Sequence, residues 1–249
     1  MALSGAALGG TGVSLVSTNG NVTGNGVTAT TGPVTVTASN GNASLGTVAA
    51  TTGSVGITAA AGDIDAAAIT AGTSATLSAR DIDLTGKLDA TGAASLTATV
   101  GDISSATMLE IEGASVALAG IVRAATNVIV TASTGNVSIG GPVTAQAGDV
   151  NVRAVAGTIT IEDVSATGDV RLVGGTLDIV GTVIAQGAAF LQALTGNVTV
   201  HETVTAAGGT LVLDAANGDA VLNRLAALDD IMINVTDLDL SGSISAGDE

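Results

Sequence analysis

Hydrophobic residues in this chain alternate with small or polar ones in short runs, and the runs stop at glycine. In GSVGITAAAGDIDAAAITA, residues 53–71, Val55 and Ile57 form one run, Ile64 begins a second, and Ile69 and Ala71 form a third. A period of two is that of a strand with one buried face, whereas an amphipathic helix repeats at 3.6. Three runs per unit therefore predict three short strands joined at tight corners. The density of Thr, Val and Gly argues against helix a second time.

The unit recurs along the chain. A polar residue, usually after Gly and before an aliphatic one, stands at Asn21, Asn42, Asp63, Asp81, Asp102, Ser115, Asn136, Thr158, Thr176, Asn197, Asp219 and Asp237, with most steps 18 to 22 residues long. The positions four and six before this marker are almost wholly apolar: Ala38 and Val36, Ala59 and Ile57, Leu77 and Ala75. The position after it is Val22, Ala43, Ile64, Ile82 or another aliphatic, and a third run opens six or seven residues on, as at Val27, Val48 and Ile69. One unit cannot bury its inward face, but stacked units can, each strand pairing with its equivalent about 4.8 Å away. The pattern predicts an all-β fold, a single-stranded parallel β-helix (β-solenoid) of triangular cross-section with about 12 coils of about 20 residues. Such a stack would be a rod on the order of 50 Å long.

On this reading residues 1–249 are one solenoid domain, with 1–9 as an N-terminal edge, coils over 10–246 and an acidic tail at 247–249. The step from Asp102 to Ser115 is short, and SSATMLEIEG supplies one strand where two are expected, which predicts a kink near Ala106 to Glu112. Pro33 and Pro142 fall beside Gly at junctions of sides, where a missing N–H matters least. The corner glycines are expected to supply positive φ.

Composition narrows the interior. The chain is 46% hydrophobic with no Trp or Tyr, one Phe and 35 Gly, so Ala, Val, Ile and Leu must fill a narrow core. Six Lys and Arg against 22 Asp and Glu give a formal charge of −16, which disfavours phosphate backbones and anionic lipid surfaces. No apolar run is long enough for a membrane-spanning helix. The absence of Cys excludes disulfides and thiolate metal sites and agrees with bacterial export. MALSGAALGG has neither the basic nor the apolar region of a secretory signal, so the chain reads either as intracellular or as a segment of a longer precursor.

The repeat of roughly 20 residues, the phrases GNVT, GNVSIGG, GDVNV and GNVTV, the Ala, Gly, Thr, Val and Asn bias and the want of Cys resemble the filamentous haemagglutinin-like repeats of large bacterial exoproteins. The resemblance runs from about Gly10 to Ala246. It implies a right-handed β-helical shaft, exported by an outer-membrane partner in two-partner secretion, on the bacterial surface or outside the cell. No Asn-Pro-Asn-type secretion motif and no effector segment occur in this sequence, so the chain would be a stretch of shaft. The function expected is a non-catalytic structural rod of an adhesin, giving reach and stiffness for cell adhesion. Its partners would be flanking coils or end-to-end copies of itself, and a receptor on a host or neighbouring cell, with no nucleic acid and no membrane insertion. The alternatives are a self-assembling extracellular filament and, as a lesser one, a polysaccharide-binding or -cleaving β-helix.

The marker column admits two uses. A short polar side chain beside a corner Gly bonds the nearby backbone or its twin one coil away, a structural ladder of Asn21, Asn42, Asp63, Asp81, Asp102, Asn136, Thr158, Thr176, Asn197, Asp219 and Asp237. Alternatively, the consecutive Asp63, Asp81 and Asp102, with Asp65 and Asp83 two residues on, could relieve their mutual repulsion with a calcium ion or a raised pKa. The glycine-rich calcium-binding nonapeptide is absent, and the structural use is favoured. No other cofactor is expected. His201, the sole histidine, lies beside Glu202 and reads as a solvated surface residue, since zinc needs more N and S donors than this chain offers. No G-x-S-x-G turn supports nucleophilic catalysis. A sugar-cleaving cleft would need grouped carboxylates, long loops and aromatic platforms, and short corners without Tyr or Trp supply none, so no enzyme is expected. Asn21, Asn42, Asn136, Asn197 and Asn234 open N-x-S/T sequons, which the repeat grammar generates by itself. Phe190 falls at an outward parity.

Overall fold

The computed structural model describes residues 1–3 and 5–247; Asp248 and Glu249 of the expected acidic tail lie outside the described residues. The strands pair in parallel as a β-solenoid of about 11 turns of roughly 21 residues, with no helix among the described residues. The chain divides into two compact units, Met1–Arg123 and Ala124–Glu249.

In the first unit, strands on three sides stack turn over turn. The first side aligns Leu15, Val36, Ile57, Leu77 and Leu96. The second aligns Val22, Ala43, Ile64, Ile82 and Ile103, and the third Val27, Val48, Ile69, Leu88 and Ile111. In the second unit the first side aligns Val128, Val150, Val170, Ala189, Leu211 and Ile231. Its second side runs from Val137 through Ile159, Leu177, Val198 and Ala220 to Leu238, and its third from Val143 through Val164, Val183, Val204 and Leu225 to Ile244. Nearly all the inward residues of the middle turns are fully buried, and each aliphatic one removed from water stabilises by about 1.5–3 kcal/mol. Backbone bonds tie turn to turn, as where Val34 N–H donates to Ser54 O at 2.9 Å and Val55 N–H to Ser74 O at 2.9 Å.

The structure refines the expected repeat in four ways. Ile57 pairs with Leu77, not Ala75, and Val152 with Leu172, not Val170. The corner before Asp81, before Thr176 and before Asp237 is two residues shorter than its neighbours, and a shift of two keeps every inward side chain inward. Second, the turn count is about 11 where 12 were expected. Ser115 O accepts from Ala94 N–H at 2.9 Å, as Ser54 and Ser74 accept from Val34 and Val55, while the strand that Ser115 opens, Val116–Ala124, pairs with Val137–Ile139 and Val143–Ala145, which follow marker Asn136. Third, the second and third sides often form one bent strand, as in Val22–Ala29, Ala43–Ala50 and Ile64–Ala71, in place of two separate runs.

The fourth correction concerns glycine. Among the described residues, positive φ occurs only at Gly12 (155°) and Gly120 (125°), so conformational freedom does not explain the corner glycines. They are needed for close approach. A Cβ on Gly46 would overlap Asn25 O of the turn before, and one on Gly41 would lie 2.6 Å from Asn21 Oδ1.

The irregular segment is as short as expected: the chain bends at Ala106 and Thr107 and continues as a single strand, Leu109–Gly113, paired with Leu88–Ala90. Ser105, the one buried polar or charged residue among the described residues, keeps its Oγ 3.4 Å from Thr107 Oγ1 at this bend. Pro33 and Pro142 each lie outside the strands, just before Val34 and Val143.

Candidate functional site

The marker column is a hydrogen-bonded ladder. In a parallel pair the carbonyl of each marker accepts from the strand of the turn before, as Asn42 O does from Val22 N–H at 2.8 Å. At Asn42, Asp63, Asp102, Thr158 and Asp219 the marker's own N–H is taken by the marker side chain one turn earlier. Asn42 N–H donates to Asn21 Oδ1 at 3.0 Å, Asp63 N–H to Asn42 Oδ1 at 3.1 Å and Asp102 N–H to Asp81 Oδ1 at 2.9 Å. In the second unit Thr158 N–H donates to Asn136 Oδ1 and Asp219 N–H to Asn197 Oδ1, both at 2.9 Å. Thr158 and Thr176 face each other in backbone register, while Asp237 Oδ1 turns to the N–H of its own neighbour Leu238 at 2.9 Å. Pairing each N–H in this way avoids the cost of a buried unpaired donor.

The geometry explains why the marker follows glycine. The side-chain oxygen that rises from one turn is the first atom a Cβ would meet at Gly62 and Gly101 of the next, and at Gly41, Gly157 and Gly218 the Cβ would meet the backbone of the preceding turn's glycine first and that oxygen close behind it. Gly-Asx is thus one device: the Asx supplies an acceptor and the Gly makes room for the acceptor below.

A second ladder escaped the sequence reading. At the corner before the first side, Asp149 N–H donates to Asn127 Oδ1 at 2.9 Å, Asp169 N–H to Asp149 Oδ1 at 2.8 Å and Ala188 N–H to Asp169 Oδ1 at 2.8 Å. A single rung at the corner before the third side joins Asp163 Oδ1 to Thr182 through its N–H (2.8 Å) and hydroxyl (3.0 Å). The signal was present as AGDV at 147–150 and TGDV at 167–170, the same Gly-Asx-aliphatic phrase on a different beat.

Of the expected cation ligands, Asp63 and Asp102 receive ladder bonds at their N–H groups, Asp81 gives its Oδ1 to Asp102 N–H, and Asp102 Oδ2 pairs with Arg123 Nε at 3.0 Å. Among the described residues no group of three or more His, Cys, Asp or Glu is arranged to hold a metal ion. Asp65 and Asp83 stand apart from that ladder. They face each other across adjacent turns on the outward face of the second side, in a polar column with Thr23, Ser44 and Ser104. A groove of about 340 Å³ is lined by Thr23, Ser44, Asp65, Asp83 and Thr85. Ser44 Oγ donates to Asp65 Oδ2 at 3.0 Å, but Asp83 Oδ1 is buried without a hydrogen-bond partner. Burial, and secondly the carboxylate of Asp65, push the Asp83 carboxyl above its usual range.

Lys87, His201 and Arg171 form lateral contacts on the surface. Lys87, the only lysine, meets Glu112 at 2.5 Å, Glu110 at 3.5 Å and Asp89 at 3.7 Å; its hydrogen bond to Glu112 holds its pKa above the ordinary value. His201 is exposed, as expected, with Nε2 3.2 Å from Asp178 Oδ1 one turn earlier. Phe190 points outward and lies under Arg171, whose guanidinium carbon is 4.4 Å from the ring centre. Four sequon asparagines, Asn21, Asn42, Asn136 and Asn197, have their amide oxygen engaged in the ladder, and Asn234 donates to Asp214 Oδ1 at 2.9 Å.

No family model matches the sequence, and comparison with curated proteins and with solved structures finds no significant similarity.

Proposed function

We propose that the chain is a non-catalytic structural shaft of a secreted or surface-displayed bacterial adhesin, where it supplies reach and stiffness. The observation that carries this reading is that its polar side chains serve the stacking itself. Asx residues at two kinds of corner bind backbone N–H groups of the next turn, and the corners stay short. Stacked parallel turns cross-linked in this way resist bending and stretching, because within each unit the regular turns are joined to their neighbours along three sides. Adhesive and export functions fall to other parts of a larger exoprotein in this reading, which rests on the resemblance of the repeat phrases. The test is mechanical: pulled between its ends, the chain is expected to hold as a stiff element and yield turn by turn, and extension at forces typical of a flexible linker would refute it.

A second reading, end-to-end self-assembly, is favoured by the last described turn. Ile244 and Leu238, on the inward columns, are 42% and 39% exposed there, whereas their partners Leu225 and Ala220 are fully buried. Such a surface accepts another turn, whether from further chain or from a second copy. Scattering mass that rises with concentration would support assembly, and a constant 23.5 kDa particle would defeat it.

A further inference from the structure

We propose that Asp65 and Asp83 share a proton across two adjacent turns, making this stretch of the solenoid tighter in acid and looser as the pair ionises. The register places Asp83 directly beside Asp65, one turn or roughly 4.8 Å away. Two ionised carboxylates so placed repel, and the groove around them offers little to offset it. Ser44 satisfies Asp65 Oδ2, Ser104 is the uncharged neighbour of Asp83 on the following turn, and Asp83 Oδ1 is left buried without a partner. Of the Lys and Arg residues of this unit, Lys87 is engaged by Glu112, Glu110 and Asp89 and Arg123 by Asp102, while Arg80 is exposed at the corner before Ile82. Asp63, Asp81 and Asp102 belong to the corner ladder. A proton taken from solvent by Asp83 removes one of the two charges and replaces an orphaned acceptor with a hydroxyl beside the turn that carries Asp65. This inference does not depend on the shaft reading.

The pH dependence follows from the direction of the Asp83 shift. Its ordinary value is 3.8 and the folded value lies above that. The protonated pair therefore stabilises the fold in full at and below 3.8, and the contribution is lost as pH rises through the folded value. Two measurements on the full chain test it. In a carboxyl ¹³C titration Asp83 is expected to titrate above 3.8, and in Asp65→Asn to move back toward it. In melting curves from acid to neutral pH, Asp83→Asn, which keeps a donor in place without a charge, is expected to gain most over wild type near neutrality and to lose that gain in acid. Titration of Asp83 at or below 3.8, or melting curves that stay parallel at all pH values, would overturn the proposal. So would a rise in wild-type melting temperature on adding calcium chloride at neutral pH that Asp83→Asn abolishes, since a cation and not a proton would then join the pair.

Discussion

Asp81 stands at the corner before Ile82, and Asp83 one residue beyond it on the same turn. Asp81 meets a backbone N–H that no strand bond uses, that of Asp102, and holds it at 2.9 Å. Asp83 meets another aspartate and is left with an unpartnered oxygen. The two carboxylates have the same chemistry and sit within a few ångströms of the same interior. What separates them is whether the neighbouring turn presents a donor, and in a stacked fold that depends on whether the position lies at a corner or along a side.

The largest effect is expected from crowding the Asp81 ladder. A Cβ on Gly101 would occupy the place of the Asp81 carboxylate, so Gly101→Ala should cost about 2–3 kcal/mol in denaturant unfolding, by overpacking and by freeing Asp102 N–H. In an Asp81→Ala background the same glycine change should cost much less, because the three atoms nearest the added Cβ are all those of the Asp81 carboxylate; equal costs in both backgrounds would break the Gly-Asx link. Asp81→Ala alone should cost about 1–2 kcal/mol, since it strands a donor. Asp83→Ala, two residues on, should be neutral or stabilising at pH 7, because it removes a like-charge contact and an unpaired atom. A small cost is expected at Lys87. Its side chain is 36% exposed and its three carboxylates are solvent-screened, so Lys87→Met should cost under about 1 kcal/mol, and less in high salt.

The contrast between Asp81 and Asp83 also shows how much could be read from the sequence. The marker column announced a ladder because glycine and an aliphatic residue bracket it on a steady beat. The inward columns were legible for the same reason, and they survived misalignment: Ala75 was matched to Ile57 in place of Leu77, yet the error was two residues, and both remain inward. Three things were hidden. The role of glycine at Gly101 or Gly62 depends on an atom of the preceding turn, which local sequence does not contain. The Asn127–Asp149–Asp169 ladder uses the same phrase but falls at another corner, so counting from one column passed over it. The sequence sets Asp65 and Asp83 two residues beyond consecutive markers, but that Asp83 Oδ1 is left without a donor depends on the side chains of the neighbouring turns, which local sequence does not contain.

Residue-resolved hydrogen exchange tests the central claim most directly. If Asx side chains of one turn bind the N–H groups of the next, the amide of Asp102 should exchange as slowly as that of its strand neighbour Ile103, and Asp81→Ala should make Asp102 fast while Ile103 stays protected. Exchange of Asp102 at the rate of an open loop in the unmodified chain, or no change on removing the Asp81 carboxylate, would contradict the account.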